Sequence, residues 1–195
     1  MPCFILENNA ILFENIVIQC KPKEGEKVMP EIWDLLDENG NKTGQVMQKG
    51  EPIPEGFFHK GADIWMINSQ GKILLQKRSP KKRLSPNVWA MTGGSVIKGE
   101  TSLQTIERET LEELGIQLNM QEVEWIRTFK TEEVWLDEFI VKQEIDLKDI
   151  VMQETEVCDV KWVSFEEAEA IFEKEQFLEN RWEFVRDLIK ERLEK

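Results

Sequence analysis

Residues 94–116 read GSVIKGETSLQTIERETLEELGI, a glycine-led approach followed by one amphipathic helix. Helical residues advance by about 100° each, so Glu109, Glu112 and Glu113 fall on one side. Leu103, Ile106, Thr110 and Leu114 form an adjoining stripe able to pack on a sheet. Thr101 with Gln104 reads as a capping box, and Gly115 stands where a left-handed C-cap belongs. Three carboxylates on one face repel, at a cost of about 0.2–0.5 kcal/mol per i,i+4 pair. Cations would turn that cost into a site. Oxygen-only ligands with room for water and phosphate suit Mg²⁺, or Mn²⁺ in its place.

An acidic helix face taken alone is usually a solvated face. Here it arrives with Thr92-Gly93-Gly94 ahead of it, Glu100 and Arg108 at set offsets, and a glycine at its end. The combination fits G-x5-E-x7-R-E-U-x-E-E-x-G-U, where U is a bulky aliphatic, and so resembles the signature of Nudix hydrolases. One slot departs: Thr110, of valine's shape but with a hydroxyl, takes the first aliphatic position. The resemblance implies hydrolysis of diphosphates linked to another group. It also implies that Glu112 and Glu113 are the main metal ligands, that the Gly94 carbonyl joins them, and that Glu109 is a ligand or the base. Glu100 and Arg108 then look like a pair bracing the loop against the helix.

The chain has 195 residues, enough for one domain with a full core. Its net charge of −13 argues against nucleic-acid polymers and anionic membranes as partners. An acidic enzyme with an anionic substrate is consistent once metal supplies positive charge. Cys3, Cys20 and Cys158 show no framework spacing and fit a reducing compartment. No apolar run is long enough to span a bilayer and the start lacks a basic leader, so a cytoplasmic protein is expected.

Outward from the motif, three apolar clusters within residues 1–28 read as an appendage of unrevealed role, and they could pair across a homodimer. Residues 29–195 read as the catalytic domain. Glu31 to Gly40 reads as a strand into an Asn-Gly turn, with Thr43 to Val46 returning. Strands are expected at Ala62–Asn68, Ile73–Arg78, Val88–Thr92, Val123–Thr131, Val134–Lys142 and Val157–Ser164. Ser164 with Glu167 caps a helix through Lys174, and a last helix carries Leu178, Trp182, Val185 and Ile189 at helical spacing. The order predicts an α/β/α sandwich with a mixed sheet, the fold that the resemblance also implies.

Residues 31–34 (EIWD), 57–65 (FFHKGADIW), 74–79 (LLQKRS) and 160–164 (VKWVS) are similar to the branch containing isopentenyl-diphosphate isomerases and their hydrolase relatives. That similarity covers about residues 29–172. The isomerases carry a catalytic cysteine followed by Gly-His where this chain has Gly93-Gly94-Ser95. A hydrolase therefore fits better than an isomerase. A sensing module without turnover would be expected to have lost motif carboxylates.

Lys77, Arg78, Lys81, Lys82 and Arg83 place five positive charges in seven residues, a candidate funnel for diphosphate. Arg78, with Lys77 beside it, is the expected phosphate contact. His59, the sole histidine, reads as structural. Trp65, Trp89, Trp125 and Trp162 read as core, and Trp135, beside Glu133 and Asp137, is the better candidate for stacking. Glu156, ahead of the last strand, is a second candidate base. The predicted substrate is a small-molecule diphosphate whose attached group the sequence leaves open.

Overall fold

A computed structural model describes residues 30–175 and 179–193. The expected appendage at 1–28, with its suggested pairing across a dimer, lies outside the described residues, as does Leu178. The described residues form two sheets: a hairpin of β1 (Ile32–Leu36) and β2 (Lys42–Gln48), and a seven-stranded mixed sheet. The latter comprises β3 (His59–Ile67), β4 (Ile73–Arg78), β5 (Trp89–Ala90), β6 (Thr92–Ser95), β7 (Glu124–Lys130), β8 (Val134–Lys142) and β9 (Val157–Val163).

β3 and β8 run parallel through the middle, and both are buried along most of their length. Successive side chains alternate between faces. Ala62, Ile64 and Met66 pack with Ile106 and Leu114 of α1 (Ser102–Leu114). Trp65 and Ile67 pack with Ala168 and Phe172 of α2 (Phe165–Glu175) and with Trp182, Val185 and Ile189 of α3 (Glu179–Leu193). Helices thus cover both faces, and the sandwich is the one expected.

The expected single strand at Val88–Thr92 is two. β4 pairs with β3 only at Ile67↔Ile73, then diverges to pair with β5 and β9. The edge of β3 that it vacates is taken by β6, so the chain changes partners at Met91. Two other expectations are corrected. Leu103 is 44% exposed, because the first turn of α1 lies on polar ground where Ser102 bonds Asp137. Trp125 is 60% exposed, because β7 is an edge strand whose register slips between Trp125 and Arg127.

Asp37 shapes the β1–β2 turn by accepting from the Asn39 and Asn41 amides, and Gly40 supplies the positive φ of 81° that the turn needs. The hairpin lays Trp33 flat on His59, with ring centroids 4.2 Å apart. Burial lowers the His59 pKa and favours the neutral ring. Trp135 is engaged in the same corner: its Nε1 donates to the Asp37 carbonyl and its ring lies against Gly40.

Candidate active site

The start of α1 is held in place before any of its acids can act. Thr101 caps Gln104, the Gln104 side chain returns to the Thr101 amide, and Gly115 closes the far end at φ 68°. Ser102 Oγ donates to Asp137 at 2.5 Å, and Asp137 also receives Lys60 at 2.7 Å. The Glu100–Arg108 pair is present as a fork, Nε to Oε1 at 2.9 Å and Nη2 to Oε2 at 3.2 Å. Thr105 Oγ1 adds a bond to Glu100, and Arg108 Nη2 reaches the Ser95 carbonyl at 3.4 Å. Loop and helix are therefore tied through one guanidinium.

The three motif acids grade from buried to wet. Glu113 is 5% exposed and accepts from Gln76 Nε2 at 2.6 Å. Glu109 is mostly buried and receives Arg108 Nη1 at 2.9 Å, whereas Glu112 is half exposed and receives the same nitrogen at 3.2 Å. Burial pushes the Glu113 carboxyl up to about 7, against the lowering effect of Gln76. Burial also raises Glu109, in spite of Arg108, and Lys49 at the end of the hairpin lies close enough to oppose that rise. For Arg108 burial works the other way, but its bonds to Glu100 and Glu109 prevail and hold its proton more tightly than usual.

Gly93 and Gly94 lie between two acids on opposite faces of the sheet. A Cβ on Gly94 would stand 2.1 Å from Glu109 Oε1, on the α1 side. A Cβ on Gly93 would stand 1.9 Å from Asp63 Oδ1 and 2.5 Å from the Ala62 carbonyl, on the other side. No side chain fits at Gly93 on this backbone, a thiol included.

Of the basic run, Lys82 is the member that reaches the acids. It forms an ion pair with Glu156, and both lie close enough to Glu113 to bias its titration. Arg78 instead donates to the Leu84 and Ser85 carbonyls, bracing its own loop. Lys77 sits over the Trp89 ring, 5.8 Å from its centre. Strand parity hinted at this: Lys77 shares a face with Leu75, under α2 and α3, while Gln76 faces α1. No short-range signal pointed to Gln76 or Asp63, or singled Lys82 out of the basic run, because their partners are distant in sequence.

Among the described residues, no three acidic, histidine or cysteine side chains stand together as a ready metal cage. Arg108 engages Glu109 and Glu112, and Gln76 engages Glu113. The donor chemistry nevertheless suits a hard cation. Every candidate donor is an oxygen, the bare Gly94 lets the Glu109 carboxylate lie against the strand, and Glu113 is a buried acid bonded by the neutral Gln76. Among the described residues, no helix is long and apolar enough to cross a membrane.

The profile of the NUDIX domain family matches residues 57–188. The chain is 36% identical over 149 residues to the uncharacterized Nudix hydrolase lmo0368 of Listeria monocytogenes, covering 76% of this chain and 88% of that one. An isopentenyl-diphosphate Delta-isomerase of Streptomyces avermitilis is 36% identical over 86 residues, 44% of each chain. The solved structure of DR0079 from Deinococcus radiodurans shares the fold with a TM-score of 0.62 at 22% identity, over 72% of this chain and 87% of that one. With the motif, the fold and the profile match in agreement, the chain belongs to the Nudix hydrolases, hydrolases acting on pyrophosphate bonds.

Proposed function

We propose that the protein hydrolyses the diphosphate linkage of a nucleoside diphosphate derivative, or of a related organic diphosphate, with Mg²⁺ and alternatively Mn²⁺ as cofactor. The observation that carries this reading is the graded acid face of α1, with Glu113 buried, Glu109 lying against Gly94 and Glu112 open to solvent. Glu112, Glu113, Glu109 and the Gly94 carbonyl would hold the metal. When bound, it supplies positive charge to the phosphates and acidifies a bound water.

The chain's own residues do the rest. Arg108 and Glu100 fix the helix against the loop, so the carboxylates keep their places as substrate arrives. Glu109 is the first candidate to take the proton of the attacking water at its carboxylate oxygen, and Glu156 is the second. The net charge of −13 fits a small-molecule substrate rather than a nucleic-acid polymer.

The runner-up is isomerisation of an allylic diphosphate, favoured by the partial match to the isomerases. It needs an acid and a base on opposite sides of a hydrocarbon. The contact of Asp63 with Gly93 argues against a thiol there. A panel of organic diphosphates assayed with Mg²⁺ in H₂¹⁸O tests the proposal: ¹⁸O is expected on one phosphate product, and activity should vanish in excess chelator. Full turnover in chelator would overturn it. Incubating isopentenyl diphosphate in D₂O should leave its carbons unlabelled, and deuterium entering at catalytic rates would favour the isomerase.

A further inference from the structure

We propose that Lys82 delivers positive charge to the substrate's diphosphate and that Glu156 is the positioning residue that aims it. This rests on the reading of α1 as the metal-binding face. The loop that carries Lys82 is fixed rather than draped. The Ser79 amide donates to the Glu156 carbonyl at 2.7 Å, Ser79 Oγ to the Glu154 carbonyl at 2.9 Å, and the Lys82 amide to the Ser79 carbonyl at 3.1 Å. Arg78 closes the other side on the Ser85 and Leu84 carbonyls at 3.1 and 3.0 Å. Ser85 and Asn87 both adopt positive φ, so the loop follows a specific path.

Within that loop the three lysine and arginine side chains differ. Lys81 and Arg83 are exposed, whereas Lys82 is 24% exposed and ion-paired to a Glu156 that is 31% exposed. Ordering a lysine side chain costs rotamer entropy. A partly solvated ion pair offsets little of that cost. Stability alone does not explain the arrangement; its place beside the acid face does, because the Glu156 amide donates to the Gln153 carbonyl at 2.8 Å and the Gln153 amide to the Glu113 carbonyl at 2.9 Å. The Lys82 ammonium covers the Glu156 carboxylate, and in this arrangement Glu156 serves the ammonium.

The inert diphosphate analogue methylenediphosphonate, titrated with Mg²⁺ into the full-length protein, tests the pair. Lys82→Met should weaken its binding by roughly tenfold, Lys82→Arg should restore most of it, and Lys81→Met should change it less than twofold. Glu156→Gln should weaken binding by a smaller factor, and the double variant should match Lys82→Met alone, the non-additivity of residues acting as one unit. Mn²⁺ binding without the analogue, followed by electron paramagnetic resonance, should be unchanged in all of these variants. Thermal melts check that each is folded.

Analogue binding unchanged in a folded Lys82→Met protein that still takes up Mn²⁺ overturns the Lys82 inference alone. Loss of Mn²⁺ in Glu156→Gln overturns the positioning role and makes Glu156 a metal ligand. A wild-type protein that takes up no Mn²⁺ overturns the α1 reading itself, and this inference with it.

Discussion

Gln76 Nε2 lies 2.6 Å from Glu113 Oε2, a bond from a central strand to the most buried acid of the motif helix. It fixes where that carboxylate points and leaves it with a neutral partner. Glu113 is therefore the acid whose charge state depends most on what else enters the site.

Metal-free stability should depend on pH through Glu113. Its folded pKa, about 7, exceeds the ordinary 4.5, so between those values the native state holds more proton than the unfolded chain. Its contribution is complete below about 4.5 and is lost as pH rises through about 7, by at most roughly 3 kcal/mol. Denaturant unfolding in chelator at pH 5 and pH 8 should show this fall in the wild type, and Glu113→Gln should flatten it. Added Mg²⁺ should reverse the trend, because metal favours the ionised form. An identical slope in both proteins would rule Glu113 out as its source.

Glu112→Gln and Glu113→Gln should each cut turnover by a factor of about 10² to 10⁴, the range for losing a positioned catalytic group. Both should stay folded. At 113 the amide oxygen can still accept from Gln76, and at 112 the side chain is half exposed. Circular dichroism and steady-state kinetics check the pair, and full activity in folded variants would remove these residues from the site.

The two glycines should fail in different ways. Gly93→Ala drives a methyl into the Ala62 backbone as well as Asp63, so about 1–3 kcal/mol of stability should be lost. Gly94→Ala meets mainly the movable end of Glu109, so the fold should survive while the carboxylate is displaced. Melting temperature should therefore drop for Gly93→Ala. Turnover, measured on folded protein, should drop for Gly94→Ala.

Arg108→Ala should remove the tie among Glu100, Glu109, Glu112 and the Ser95 carbonyl. The partners are partly solvated, so a loss of about 2 kcal/mol is expected, less than for a fully buried pair. That corresponds to a melting temperature lower by roughly 4–8 °C. An unchanged melt would show that the fork contributes nothing to the fold.

The sequence by itself determined the motif helix. Caps, the acid face and the terminal glycine depend on neighbours within four residues, where helix geometry leaves little choice. It also determined the layering, since the apolar periods of β3, β8 and the C-terminal helices dictate which sides are buried. Tertiary structure decided which distant groups meet the acids. Gln76 reaches Glu113 across 37 residues and Lys82 reaches Glu156 across 74, and both depend on β4 leaving β3 to pair with β9. That divergence also set Gly93 against Asp63, turned Lys77 under the other face, and left Arg78 to bind its own loop. Strand partnership and register are settled by long-range packing, and a one-residue change of register exchanges the faces of every side chain that follows.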